Sequence, residues 1–261
     1  MTAPGAEFAY AMNDPYLTDR QAQVLSQVIH EHIATAQPVA SAALARRPTL
    51  AVSPATVRNE FAVLEEAGLL AQPHTSAGRV PTVRGYRYFV AHLMTRSGLS
   101  EQVQRTIRHQ FYQAGHHTDR WLRLSAAVVA HTSGAAGLVT SRPADRAPRL
   151  YHAGLTEILD EPELADGQCL RVVVEVLEYG TGLQPVIDGL PSQGVEVIIG
   201  DEPPTGGVPH VTLVLSRFGG DDPQGGVLGV IGPTRMPYER AVPVVEFVAD
   251  LMTQLLAIEA D

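Results

Sequence analysis

The stretch SPATVRNEFAVLEEAGLL, residues 53–70, followed by AQPHTSAGRVPT at 71–82, decides how the first third of this chain is read. Ser53-Pro54 supplies a helix N-cap and a first-turn proline, Val57, Phe61 and Leu64 fall on one face, and Gly68 ends the helix. The opposite face carries Arg58 and Asn59. Beyond it, Leu69 to Pro73 and Arg79 to Thr82 are expected as two short strands around the tip His74-Thr75-Ser76-Ala77-Gly78, where glycine tolerates a tight turn. Upstream, Thr18 with Gln21 forms a capping box, and Val24, Leu25, Val28, Ile29 and Ile33 recur at helical spacing to about Thr35. Pro38 stops that helix, Ser41 opens a short second one through Arg47, and residues 48–52 make the connecting turn. Three helices and a hairpin predict a winged helix-turn-helix over 16–95, preceded by a disordered tail at 1–15.

Gly85 to Arg96 is expected as a helix leaving that domain, with Tyr86, Phe89, Val90 and Leu93 inward. Leu99, Val103, Ile107 and Phe111 then repeat every fourth residue, and Leu122, Ala126 and Val129 continue the stripe, so 96–133 reads as a helical linker and dimerisation segment. From Gly134 the pattern changes. Strand-like runs are expected at Gly137 to Thr140, Arg171 to Leu177, Val195 to Ile199, His210 to Leu215 and Gly226 to Ile231, with helices at Leu183 to Leu190 and Tyr238 to Leu256. The fold class is therefore α+β, with a mostly antiparallel sheet filling 134–261.

Bulk properties narrow the function. The 261 residues carry a net charge of −9, with 45% hydrophobic and 18% charged residues, and no run reaches the ~18 consecutive apolar residues of a membrane span. No membrane partner is expected. The first fifteen residues lack a secretory signal, which points to a cytoplasmic protein. The single cysteine, Cys169, reads as a buried, inert thiol. Charge is distributed unevenly. Between Ala40 and Arg96 seven arginines face three glutamates, whereas from Ser97 onward eleven arginines face twenty-one acids. A basic front before an acidic rear suits a reader of nucleic acid joined to a domain that stays off it.

In a helix-turn-helix the second helix of the pair enters the major groove by its N-terminal end, here Ser53, Ala55, Thr56, Arg58 and Asn59. Arginine can hold guanine O6 and N7 together, asparagine pairs with adenine N6 and N7, and alanine or threonine methyls touch thymine. Ser41, at the start of the supporting helix, is a candidate phosphate contact. Arg79, beside His74, Thr75 and Ser76 of the wing, is expected on the flanking backbone, braced by Tyr86 and Arg87. Catalysis and metal binding are not expected. His30 and His32 point to different faces of one helix, His116-His117 has no acid or cysteine at ligand spacing, and Gly229-Val-Ile-Gly-Pro lacks the lysine and hydroxyl of a phosphate loop.

The run from Ser53 to Glu60, the LEEAGLL at 64–70, the QPHTSAGRVPT at 72–82 and the GYRY at 85–88 resemble the winged helix of the HrcA heat-shock repressors. A second match, GVIGPTRMPYER at 229–240, is similar to the closing strand and helix of that family's GAF-like domain. The resemblance implies a repressor without cofactor that binds double-stranded DNA as a homodimer, on the inverted-repeat CIRCE operator of chaperonin and other heat-shock operons. It also implies regulation by the GroEL chaperonin. Two departures stand out: Ala42 occupies a position where the family usually has a basic residue, and Ser141 to Arg149 replaces a longer central region that includes a dimerisation insert. The rival is a one-component regulator answering to a small ligand in the GAF-like domain, which a cavity with convergent polar groups would favour.

Overall fold

Local capping starts the first helix where the sequence places it. In α1 (Asp19–Thr35) the Thr18 hydroxyl accepts from the Gln21 N–H, and the Gln21 side chain accepts in return from the Thr18 N–H at 2.9 Å. Val24, Leu25, Val28 and Ile29 are fully buried along one face. In this computed structural model the described residues are 14–50, 52–74, 77–95, 97–115, 117–141, 149–165, 167–180, 182–200, 211–220 and 225–260. The chain divides into two units, Met1–Thr95 and Arg96–Asp261.

In the first unit, α2 (Ser41–Ala45) and α3 (Pro54–Glu66) pack on each other and α3 packs on α1. Two short antiparallel strands follow, β1 (Leu70–Ala71) and β2 (Val80–Pro81), shorter than the runs expected around the wing. A third segment joins them, because Val39 and Arg79 exchange backbone N–H···O bonds of 2.8 and 2.9 Å. That close approach explains Gly78: a Cβ there would lie 2.3 Å from the Val39 carbonyl oxygen. Gly85 is constrained likewise, since its Cβ would stand 2.1 Å from the Leu69 oxygen. Thr82 fastens the junction by donating to the Gly68 carbonyl at 2.7 Å and accepting from the Gly85 N–H at 3.0 Å.

The helix expected from Gly85 to Arg96 begins earlier and is not regular. It comprises α4 (Val83–Tyr88), capped by Thr82, and then a single π-helical turn at Phe89–Leu93. Of the tail expected at 1–15, residues 1–13 lie outside the described residues, and the Asp14 carboxylate bonds His92 at 2.7 Å.

The second unit opens with α5 (Glu101–Gln113) and α6 (Thr118–Ser133) and builds a five-stranded antiparallel sheet. Its strands are β3 (Ala136–Ser141), β4 (Arg149–Ala153), β5 (Val195–Ile199), β6 (Val211–Phe218) and β7 (Gly226–Pro233), in the order β4-β3-β7-β6-β5. The C-terminal helix α9 (Tyr238–Ala260) packs with α6 against one face of this sheet. α9 is apolar enough in composition to span a bilayer, and that character is accounted for by Val244, Val245, Val248 and Met252, all fully buried in the unit.

Two expectations are corrected here. Arg171 to Leu177 is no strand: it lies within α7 (Gly167–Tyr179), whose buried residues Cys169, Val173, Val176 and Leu177 follow helical spacing. The valine run promoted a strand reading that tertiary packing overrides. β4, which the sequence reading left out, pairs with β3 along five residues from Gly137↔Ala153 to Ser141↔Arg149. The helix expected at Leu183 is α8 (Leu183–Gly189).

The GVIGPTRMPYER segment forms the turn from β7 into α9. Arg235, only 8% exposed, gives its guanidinium to Glu161 and, at 2.7 Å, to Glu163, next to the 3-10 turn Pro162–Leu164. Tyr238 is wholly buried and donates to the Thr234 carbonyl at 2.6 Å, and burial holds its phenol well above the usual tyrosine range.

Candidate nucleic-acid interface

α3 is positioned by its cap and its apolar stripe. The Ser53 hydroxyl accepts from the Thr56 N–H at 3.1 Å and lies 2.9 Å from the Thr56 hydroxyl, while Pro54 occupies the first turn. Val57, Phe61 and Leu64 turn inward, at most 4% exposed. The same period therefore places Ala55, Arg58, Asn59, Ala62 and Val63 outside, and all five are exposed. Sequence reading passed over Ala62 and Val63, although the spacing from Ala55 through Arg58 and Asn59 extends directly to them.

The electrostatics of this face follow from where the acids point. Glu60 faces Arg20 at 3.9 Å and Glu65 takes the Arg79 guanidinium at 2.8 Å, so two of the three carboxylates on α3 are matched within the unit. Arg58 has no ion pair among the described residues. Its guanidinium is a solvated, fully available donor set.

The remaining candidates separate. Ser53, Ala55, Thr56, Arg58 and Asn59 share the N-terminal half of α3, and exposed His74 sits at the end of the first wing arm. Thr75 and Ser76 lie outside the described residues. Ser41 is half-buried at the first position of α2, a helix with no side-chain cap. The Arg79 side chain is 17% exposed and is held by Glu65, with Nε at 3.1 Å, which ties the wing root to α3. Tyr86 lies inward, as its helical spacing implies: it is 2% exposed, with its hydroxyl 2.7 Å from His32 Nδ1, and belongs to the core beneath α1. Arg87 beside it is half-buried.

Two of the four residues of the stripe expected to join two copies are buried within the second unit. Ile107 and Phe111 on α5 are 3% and 1% exposed within the second unit itself, while Leu99 and Val103 are half-buried. Arg108 on the same helix stacks over the Phe247 ring of α9, 4.9 Å from its centre. Cys169, the chain's one cysteine, is buried and forms no internal disulfide, and no cluster of three or more metal-ligating side chains occurs among the described residues.

A family profile described as HrcA protein C terminal domain matches residues 86–242. The chain is 36% identical to the heat-inducible transcription repressor HrcA of Roseiflexus sp. (strain RS-1), an alignment covering 92% of this chain and 95% of that one. The chain belongs to the HrcA family. It is 34% identical to the HrcA repressor of Chloroflexus aggregans over 92% of this chain and 93% of the relative. A crystal structure of a hypothetical protein shares the fold, with a TM-score of 0.73 at 17% identity over 93% of this chain and 99% of that one. HrcA proteins are heat-inducible transcription repressors, which places this chain in transcription regulation and the stress response.

This chain is shorter than the Roseiflexus relative it matches. The alignment with the Roseiflexus repressor runs over 342 positions, yet 92% of 261 residues takes part, so about a hundred positions of the alignment have no residue here.

Proposed function

We propose that this chain is a sequence-specific repressor that grips double-stranded DNA with α3 as the recognition helix of a winged helix, binding an inverted-repeat operator of the CIRCE type as a homodimer. One observation carries the reading: a serine-capped helix sits on its own core through Val57, Phe61 and Leu64 and presents Ala55, Arg58 and Asn59 side by side to solvent. Arg58 reads a guanine through O6 and N7, Asn59 an adenine, and Ala55 a thymine methyl. Ser41, Ser53, Thr56 and the wing tip at His74 set the register on phosphates. Arg79 and Tyr86 act one step back, holding wing and helix in fixed relation. An inverted repeat offers two half-sites, and two copies occupy them by symmetry.

The GAF-like second unit carries the regulation. A repressor whose folded population depends on the GroEL chaperonin releases its operator when heat fills the chaperonin with other clients. Fluorescence anisotropy with an inverted-repeat duplex and its scrambled counterpart tests the DNA reading. The inverted repeat is expected to bind at least about a thousandfold more tightly at physiological salt. Equal affinity for both duplexes discards it. Adding chaperonin and ATP to heat-treated repressor is expected to restore the operator-bound fraction, and no recovery discards the chaperonin arm alone.

A further inference from the structure

On the sheet face away from α6 and α9, the second unit holds a cavity of about 140 Å³. Strand parity fixes which face this is. Ile198, Leu213 and Ile231 stand opposite one another in register across β5, β6 and β7 and form the cavity floor, whereas the neighbouring Thr212 points the other way, to the Tyr238 hydroxyl of α9. Val176 of α7 and Leu183 and Val186 of α8 form the roof. The roof is tied down, because Arg217 of β6 donates to the Ile187 and Leu190 carbonyls at the end of α8. The cavity is therefore built into the fold.

Its chemistry is one-sided. Floor and roof are aliphatic, and among the described lining residues the charge at the lip is the carboxylate of Glu175, one turn from Val172 on the same face of α7. Glu175 has no ion pair among the described residues. Glu196, two residues before Ile198 on β5, adds a second, half-buried carboxylate to the same side of the sheet. The volume is close to that of apolar cavities that hold one benzene-sized guest. Among the described residues, this lining lacks the convergent polar groups that would orient a sugar, nucleotide or amino acid.

We infer that this cavity is a binding site for a small organic amine, its hydrocarbon body seated between α7, α8 and the sheet and its ammonium group at Glu175. The site is independent of how α3 is used, and DNA takes no part in its test. Benzylamine, benzyl alcohol and benzoate are titrated against the full chain by ligand-observed saturation-transfer NMR. Benzylamine is expected to saturate below about 10 mM, the range open to so small a ligand. Benzyl alcohol is expected to bind up to about fivefold more weakly, as a half-exposed charge pair allows, and benzoate not to bind. Glu175→Gln is expected to level amine and alcohol while leaving the alcohol unchanged. Val186→Phe, which fills the roof, is expected to abolish both, and Val172→Phe at the half-exposed lip provides the same block where Val186→Phe does not fold. The proposal is overturned if benzoate binds as well as benzylamine, if Glu175→Gln leaves the preference for the amine intact, if neither phenylalanine variant weakens binding, or if no probe saturates.

Discussion

Two helices of equal length, α3 and α5, announce themselves in the sequence as contact surfaces and meet different fates. Each has thirteen residues and an apolar stripe. α3 seats Val57, Phe61 and Leu64 in the first unit and keeps Arg58 and Asn59 for solvent; α5 seats Ile107 and Phe111 in the second, two of the four residues expected to meet another copy. The lesson is one of precedence. An apolar stripe is claimed first by the chain's own core, because burial there costs no association entropy, and what a partner can use is the face left over.

The sharpest way to break this contrast is to cut into α5. Phe111→Ala is expected to destabilise the second unit by about 3–5 kcal/mol, the range for emptying a buried phenylalanine site. The fluorescence of Trp121, the chain's one tryptophan, which is buried in α6, reports that unit during urea unfolding. An unchanged melt with loss of the proposed dimer, followed by light scattering, would return the stripe to the interface. Next in size, Arg58→Ala is expected to weaken binding to the specific operator by about 1–3 kcal/mol while leaving the Trp121 melt untouched. Equal losses on operator and random duplex would remove Arg58 from base reading.

Arg79→Ala sharpens the comparison inside the first unit. Its ion pair with Glu65 is partly exposed, so the expected cost in stability is at most about 1 kcal/mol, seen by circular dichroism melting, and the salt dependence of DNA binding is expected to stay as it was. A salt slope reduced by about one would mean that Arg79 leaves Glu65 for a phosphate. The smallest effect is at the sheet edge. Burial pushes the Glu196 carboxyl above its ordinary value, so the folded chain loses stability as pH rises through that raised value, and the full benefit is present only where the group is protonated, below its unfolded value. Glu196→Gln is expected to stabilise by up to about 0.5 kcal/mol at pH 7 and to flatten the pH profile of melting just above the ordinary carboxylate range. A profile identical to that of the parent chain would remove Glu196 as its source.

The parts of the fold that were legible in the sequence are those written locally. The Thr18–Gln21 box, the Ser53-Pro54 cap and the stripes of α1 and α3 involve residues three or four apart, and they appear in the structure at those positions. Arg171 to Leu177 misled because valines favour strands by shape, whereas burial at Cys169, Val173, Val176 and Leu177 follows a helix. β4 gave too little signal: Arg149, Leu150 and Tyr151 are all half-buried, with no alternation to mark a strand, and it is β3 that makes one of them. Among the site residues, the partners of Arg79 and Tyr86 are invisible to local spacing. Their partners Glu65 and His32 stand fourteen and fifty-four residues away.

By itself, then, the sequence determined that a capped, amphipathic α3 would show arginine and asparagine outward, that strands would follow the helices, and that positive charge would gather at the front. Only the tertiary structure decided which arginines stay free, which apolar stripe remains available and where three strands and two helices leave room for a guest. The physical reason is range: caps and helical faces are settled by neighbours within a turn or two, whereas an ion pair, a buried stripe or a cavity exists only once distant segments have been brought within a few ångströms of each other.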